Sequence, residues 1–407
     1  MMLALRWSFA LGVLITMMLA TKSVSAQVAV RGETVYTMAG PPIADGMVIL
    51  RDGKIAAVGG AADLRVPDGY RVLAAKVVTP GLVDAHTVVG LAGYFNQKQD
   101  SDQLERSIAI QPELRALDAY NARERLVEWV RSFGVTTVQT GHAPGRLISG
   151  QMMVVKALGG TVEDAVIVET SSVAATLSSD ARGSGSPGTR GKMVSMLRAR
   201  FLQARENLEK SEGKPPEERP GRDLALEILG RVLKREVPLL VTAHRAQDIE
   251  SALRLQREFE FDLILDGAAE AYLLIDEIKN ANVPILLHPT MARATRDLAN
   301  ISFETAAKLK NAGIHVALQS GYESYVPKTR VVLFEAAIAA ANGLSFEEAL
   351  ATITIDAARI IGVDERVGSL LVGKDGDLAL YDGDPFEYTS HCIGVVIDGE
   401  IVSETRR

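Results

Sequence analysis

The sequence predicts an α/β fold organised around an eight-stranded βα barrel, and three observations carry that prediction. Apolar strand-like runs alternate with helical segments through the middle of the chain. Both ends are instead rich in short β-runs broken by turn residues. The 407 residues, 47% hydrophobic and 23% charged, supply enough apolar surface for a large core.

The expected barrel strands are 76–86, 135–140, 148–156, 165–170, 237–244, 262–266, 283–288 and 315–320. Eight is the number a closed parallel barrel needs. Helical patterns fill gaps at 124–133, 190–210, 248–258 and 270–280, because parallel neighbours require crossover connections. Pro215-Pro216 and Glu217-Glu218-Arg219-Pro220 mark 212–223 as an exposed loop. Towards the N-terminus, Asp52-Gly53 separates two apolar runs and suits a hairpin. The same style returns near the C-terminus, where Val395-Val396-Ile397 and Ile401-Val402 flank Asp398-Gly399.

The first 26 residues follow a secretory pattern. Arg6 supplies positive charge, an apolar run covers 9–20, and Val24-Ser25-Ala26 places small residues at a cleavage site. The expectation is cleavage after Ala26 and a soluble mature protein in the periplasm or outside the cell. No later segment reads as a bilayer span, so stable membrane insertion is not expected. A formal charge of -7 and a pI near 5.6 argue against nucleic acid as a partner. Cys392 is the only cysteine, which rules out an intramolecular disulfide.

The chemistry is concentrated at strand ends, where barrel enzymes carry their reacting groups. His86, His142, His244 and His288, four of the six histidines, fall at or just beyond such ends. Neutral imidazoles there are good donors for zinc, copper or nickel; the bland reading is that each hydrogen-bonds loop backbone. Glu169 and Lys156, near the ends of the fourth and third strands, read either as reaching the same mouth or as solvated or hydrogen-bonded side chains. His315 and His391 fall elsewhere and read as structural, and Glu270 and Tyr272 read as helix-end and packing residues. The glycine-rich stretch 183–192 departs from a phosphate loop at Ser186 and Met193 and reads as a mobile loop over the mouth. No Gly-x-Ser-x-Gly elbow occurs, so a covalent hydrolase is not supported.

Several motifs together resemble the amidohydrolase superfamily, in its imidazolonepropionase-like branch. They are Pro80-Gly81-Leu82-Val83-Asp84-Ala85-His86-Thr87-Val88, Leu147-Ile148-Ser149-Gly150-Gln151, Ala243-His244-Arg245-Ala246-Gln247-Asp248-Ile249, and the C-terminal Gly368-Ser369-Leu370, Gly373-Lys374-Asp375-Gly376-Asp377-Leu378 and Asp382-Gly383-Asp384-Pro385. The resemblance implies a (β/α)8 TIM-like barrel over 79–365 and a small β-sandwich built from both chain ends, 27–78 and 366–407. It implies a hydrolase of non-peptide C–N bonds in a small molecule, with a divalent metal, zinc first, held at strand ends.

Carried over position by position, the family's metal ligands fall at His86 and Val88, at His244, at Gly267 and at Gly321. Only His86 and His244 keep a donor. In the superfamily the strand-eight aspartate takes a proton from metal-activated water, and Gly321 has no carboxylate to do so. Two ligands hold zinc poorly, so the metal is expected at low occupancy or not at all. Asp84 is expected to brace the turn after Pro80-Gly81. Restoring the three lost donors is expected to raise metal occupancy. Two functions remain open: a metal-dependent hydrolase with a rearranged site that recruits His142 and His288, or a pseudo-enzyme. The second would bind a small molecule, as a homo-oligomer or as support for a paralogous amidohydrolase subunit.

Overall fold

A computed structural model describes residues 27–95, 97–183, 186–322 and 330–407. The proposed signal segment lies outside them, as do two residues of the 183–192 stretch. Among the described residues, no helix is long and apolar enough to cross a membrane.

The chain opens with strands β1 (Val28–Val35), β2 (Ile43–Arg51), β3 (Lys54–Gly60) and β4 (Arg71–Pro80). The barrel strands follow: β5 (Leu82–Thr87), β6 (Val135–Thr140), β7 (Ile148–Lys156), β8 (Val166–Thr176), β9 (Leu239–Ala243), β10 (Leu263–Gly267), β11 (Ile285–Leu287) and β12 (Val316–Leu318). Around them lie α1 (Arg125–Arg131), α2 (Val162–Ala165), α3 (Arg190–Ser211), α4 (Leu224–Leu233), α5 (Ala246–Phe259), α6 (Ile275–Ala281), α7 (Thr305–Asn311), α8 (Val332–Ala341), α9 (Phe346–Thr352) and α10 (Ile355–Ile360). Strands β13 (Leu378–Tyr381), β14 (Cys392–Ile397) and β15 (Glu400–Ser403) complete the chain.

Both chain ends share one seven-stranded sheet in the order β15-β14-β13-β4-β1-β2-β3. The joint is the antiparallel pairing of β13 with β4, Leu378 opposite Pro80 and Tyr381 opposite Val77. One apolar face of this sheet buries Val28, Val30, Val48, Leu50, Val78, Leu380 and Val396. Strand β4 ends at Pro80 and β5 begins at Leu82, so one extended segment leads from this sheet straight into the barrel.

The barrel sheet runs β12-β11-β10-β9-β8-β7-β6-β5. It closes through a bridge between Thr87 and Gly321, with the Gly321 N–H donating to the His86 carbonyl at 3.0 Å. Asp84 reinforces this seam: its Oδ1 accepts from the Ser320 N–H at 3.0 Å. It therefore holds strand eight rather than the turn after Gly81. Burial pushes its carboxyl up to about 6, against the opposing pull of the Ser320 and His86 hydrogen bonds.

All eight expected strands are present, but the third runs the other way. Strand β7 is antiparallel to both β6 and β8. The reason is connection length: only 141–147 separate β6 from β7, far too few for a crossover helix, so the chain forms a hairpin. Lys156 consequently sits at the floor of the barrel, opposite the mouth. Strand β8 extends to Thr176, six residues beyond its expected end, which leaves Glu169 exposed in its lower half. The helix expected over 270–280 starts later, at Ile275, after a 3-10 turn at Ala271–Leu273.

The barrel interior is lined by Val83, Ala85, Met152, Val154, Ala174, Leu240, Ile264, Leu286 and Ala317, and is stoppered below by Ala357, Ala358 and Ile361 around α10. Alternation then fixes what lies above. On each strand the residue two beyond an inward apolar one also points inward, which places Thr242 and His244 above Leu240, Asp266 above Ile264, His288 above Leu286 and Gln319 above Ala317.

Candidate active site at the barrel mouth

A cavity of about 650 Å³ opens above this layer. Its floor includes His86, Thr242, His244, Asp266, His288 and Gln319. Asp266 is the hub: its Oδ1 pairs with His86 Nδ1 at 2.8 Å and accepts from Gln319 Nε2 at 2.7 Å, while its Oδ2 accepts from Thr242 Oγ1 at 2.6 Å. Burial alone would raise the Asp266 carboxyl, but His86, Thr242 and Gln319 outweigh it and hold it below the usual range. Burial likewise opposes protonation of His86, yet Asp266 and Asp84, with the His142 carbonyl, reverse the balance and raise its pKa.

The other two cavity histidines behave differently. His288 is 1% exposed, and burial pushes its pKa down to about 4. Its Nδ1 lies 2.9 Å from the Pro289 carbonyl, which can only accept, so Nδ1 carries the proton and Nε2 keeps a bare lone pair. That Nε2 has no hydrogen-bond partner among the described residues. His244 is also held neutral by burial, although Asp266, Asp180, Asp297 and Asp248 pull the other way, and its Nδ1 is similarly unpartnered among the described residues.

Three of the four candidate histidines, His86, His244 and His288, thus line one cavity, and His142 does not. His142 follows β6 as a buried residue, its backbone N–H on Met152 Sδ at 3.2 Å, and burial lowers its pKa to about 4. His315 is exposed at the start of β12, facing the opposite end. His391 pairs with Asp382 at 3.3 Å beside the second sheet. Glu270 ties loops together: it accepts from the Ala246 N–H and from Asn300 Nδ2, both at 2.7 Å.

The remaining family positions are occupied in ways that leave no room for a donor. Val88 is fully buried in an apolar cluster with Ala92 and Ala143. Gly267 has φ +77°, and a Cβ built there would lie 2.3 Å from Cε1 of His244. Gly321 has φ +65°, and its Cβ would lie 2.7 Å from Cγ of Pro289. Among the described residues, no three His, Cys, Asp or Glu side chains are grouped to hold a metal ion. With no such group, the residues as placed do not fit a catalytic zinc, which takes three protein ligands.

Sequence reasoning passed over Asp266, the last residue of the sixth expected strand, and missed Thr242 and Gln319. The signal was available in the inward parity of each with a core residue two positions earlier. It also missed the cavity's upper wall, where Arg106, Arg293, Arg296 and Arg330 lie with Asp180. These sit on loops, which carry no periodic pattern to read.

Comparison with known proteins agrees with this architecture. The family model described as "Amidohydrolase family" matches residues 215–403. An amidohydrolase of known structure from Thermotoga maritima is 27% identical, with a TM-score of 0.86 over 93% of this chain and 100% of that one. Over residues 215–403 and in its overall fold, the chain is similar to the amidohydrolase superfamily. Among curated members, the imidazolonepropionase of Porphyromonas gingivalis is 24% identical over 89% of this chain and 88% of its own length. The amidohydrolase tasK of Hapsidospora irregularis is 25% identical over 79% of this chain, which spans only 36% of that longer amidohydrolase. An adenosine deaminase from Xanthomonas campestris, solved with zinc bound, shares the fold at 16% identity and a TM-score of 0.53.

Proposed function

We propose that this amidohydrolase binds a small molecule at its barrel mouth, and that the metal-hydroxide hydrolysis of non-peptide C–N bonds is weakened or lost. One observation carries the reading. Val88, Gly267 and Gly321, the positions where the family pattern expects donors, are filled by core packing or by left-handed backbone against a neighbouring ring. The cavity itself is kept, and its floor is closed by hydrogen bonds centred on Asp266.

In this reading the protein is a ligand-binding or partner-supporting subunit, as a homo-oligomer or beside a paralogous amidohydrolase. Val24-Ser25-Ala26 supports export to the periplasm or beyond, with cleavage after Ala26.

The reading is tested by incubating the purified mature chain with added zinc and with hydantoin, dihydrouracil, an imidazolone and an acyl-dipeptide. No turnover above buffer is expected; zinc-dependent release of product would contradict it. A second reading, a hydrolase with a rearranged metal, is favoured by one feature only: His244 Nδ1 and His288 Nε2 are both buried without partners among the described residues, and both rings line the cavity.

A further inference from the structure

We propose that the barrel mouth takes a small oxyanion-bearing ligand, whose carboxylate or phosphate lies against Arg106 and Arg296 and whose N–H or O–H group donates to His288 Nε2. The proposal rests on the reading of the mouth as a retained small-molecule pocket and adds the class of molecule that fits it.

The cation side is the first support. Four guanidinium groups line the cavity against two carboxylates, Asp180 and Asp266, and Asp266 is already occupied by His86, Thr242 and Gln319. The chain as a whole carries a formal charge of -7, so this concentration of arginine runs against the composition. Among the described residues, the guanidinium groups of Arg106 and Arg296 have no acidic or hydrogen-bond partner, whereas most other cavity-facing polar groups do. A planar guanidinium matches carboxylate and phosphate alike.

The loop that carries Arg296 is held in place from three sides. Buried Glu335 accepts from the Thr290 and Met291 N–H groups at its start. Asp297 Oδ2 accepts from the Ser179 N–H at 2.6 Å in its middle, and Asn300 is fastened to Glu270 at its end. Arg296 itself has φ +52°, an uncommon backbone for a residue with a side chain, which such fastening sustains. A fixed arginine loses less entropy on binding than a free one.

His288 is the second and independent support. It is an almost fully buried side chain on the cavity floor, its tautomer fixed by the Pro289 carbonyl, with an acceptor nitrogen that no described residue satisfies. Leaving such an acceptor dry is unfavourable, and a ligand N–H or O–H relieves it. A bare anion such as sulfate, lacking a donor, fits only half of the site.

The test is calorimetric titration of the mature full chain. The probes are N-acetylglycine, N-acetyl-leucine, N-acetylphenylalanine and N-acetylglutamate with their methyl esters, and glucose 6-phosphate with glucose. At least one acid or phosphate should bind, with its neutral counterpart weaker by about tenfold or more, the scale of one charged hydrogen bond. Which arm binds distinguishes carboxylate from phosphate. Arg106→Met and Arg296→Met, both at exposed side chains, should each weaken that probe by about tenfold with an unchanged melting temperature. On the unmodified protein, replacing the ligand N–H by N-methyl, as in N-acetylsarcosine, should weaken binding similarly if a carboxylate arm binds; 6-phosphate carried on a deoxygenated ring is the matching control for the phosphate arm. No binding by any probe, equal binding of acid and ester, or indifference to both arginine variants would overturn the proposal. Zinc-dependent turnover of a bound probe would instead overturn the loss of metal chemistry and leave the anion assignment standing.

Discussion

His86 Nδ1 lies 2.8 Å from Asp266 Oδ1, both side chains buried, where family resemblance would put His86 on a metal. That pairing anchors the imidazole on a carboxylate, and Thr242 and Gln319 complete the hydrogen bonding of the carboxylate. The consequence reaches the positions around it, because a ligand set cannot be rebuilt one residue at a time.

The sequence alone suggests that Val88→His, Gly267→His and Gly321→Asp would restore metal binding. The structure revises that expectation. A side chain at Gly267 meets the His244 ring, and one at Gly321 meets Pro289, each on a backbone with positive φ. Gly267→Ala alone should destabilise the fold by about 1 to 2 kcal/mol or more from the backbone conformation. Chemical denaturation checks this, and the triple variant should lose stability rather than gain a metal. A stable triple variant with one bound zinc would show that the mouth rearranges freely.

At the opposite end, Lys156 Nζ meets Asp377 Oδ2 at 2.5 Å, Asp375 Oδ2 at 2.9 Å and Asp398 Oδ1 at 3.1 Å, joining the barrel floor to the C-terminal segment. Burial opposes a charged lysine, but the three aspartates outweigh it and raise its pKa. Lys156→Met leaves the buried Asp377 carboxylate without its cation and should cost about 3 to 5 kcal/mol in urea unfolding. Lys156→Met with Asp377→Leu should recover part of that loss, since an apolar pair needs no desolvation of charge.

Asp375 gives the same cluster a pH signature. Burial would raise its carboxyl, but Lys156, Lys54 and Arg366 draw it down to about 2 from an ordinary 3.8. A depressed carboxylate contributes stability above its unfolded value and loses it as pH falls towards its folded value. Asp377 works in the opposite sense, because burial leaves its pKa raised despite Lys156. Asp375→Asn should therefore flatten the loss of stability between about pH 4 and pH 2, read as melting temperature against pH. An identical acid limb in the variant would contradict this role.

Much of the fold was legible because apolar strands announce themselves by residue type and spacing, and Leu240-Val241-Thr242 or Leu263-Ile264-Leu265 read the same in or out of context. Direction was not legible. An apolar run such as Met152-Met153-Val154-Val155 has no polarity, and only the short 141–147 connection distinguishes a hairpin from a crossover. That one reversal moved Lys156 from the mouth to the floor. At the site, His86, His244 and His288 were visible as strand-end histidines. Their differing states were not, since they depend on Asp266, Pro289 and Gly267, brought together only by closure of the barrel.

The pairing of β13 with β4 makes the C-terminus essential to the N-terminal sheet. A fragment of residues 27–350 lacks β13, β14, β15 and the α10 stopper, and exposes Val78, Val28 and the barrel floor. Each Å² of apolar surface left open forfeits about 25 cal/mol. The fragment should be insoluble or melt far below the full chain; an unchanged melting temperature would refute the shared sheet.

The most direct test is elemental analysis of the mature full chain after dialysis against a weak chelator. Well under one equivalent of zinc, manganese or iron is expected, with the same value in His142→Ala and His288→Ala. One tightly bound equivalent that His288→Ala abolishes would contradict the account and establish a rearranged metal site at the barrel mouth.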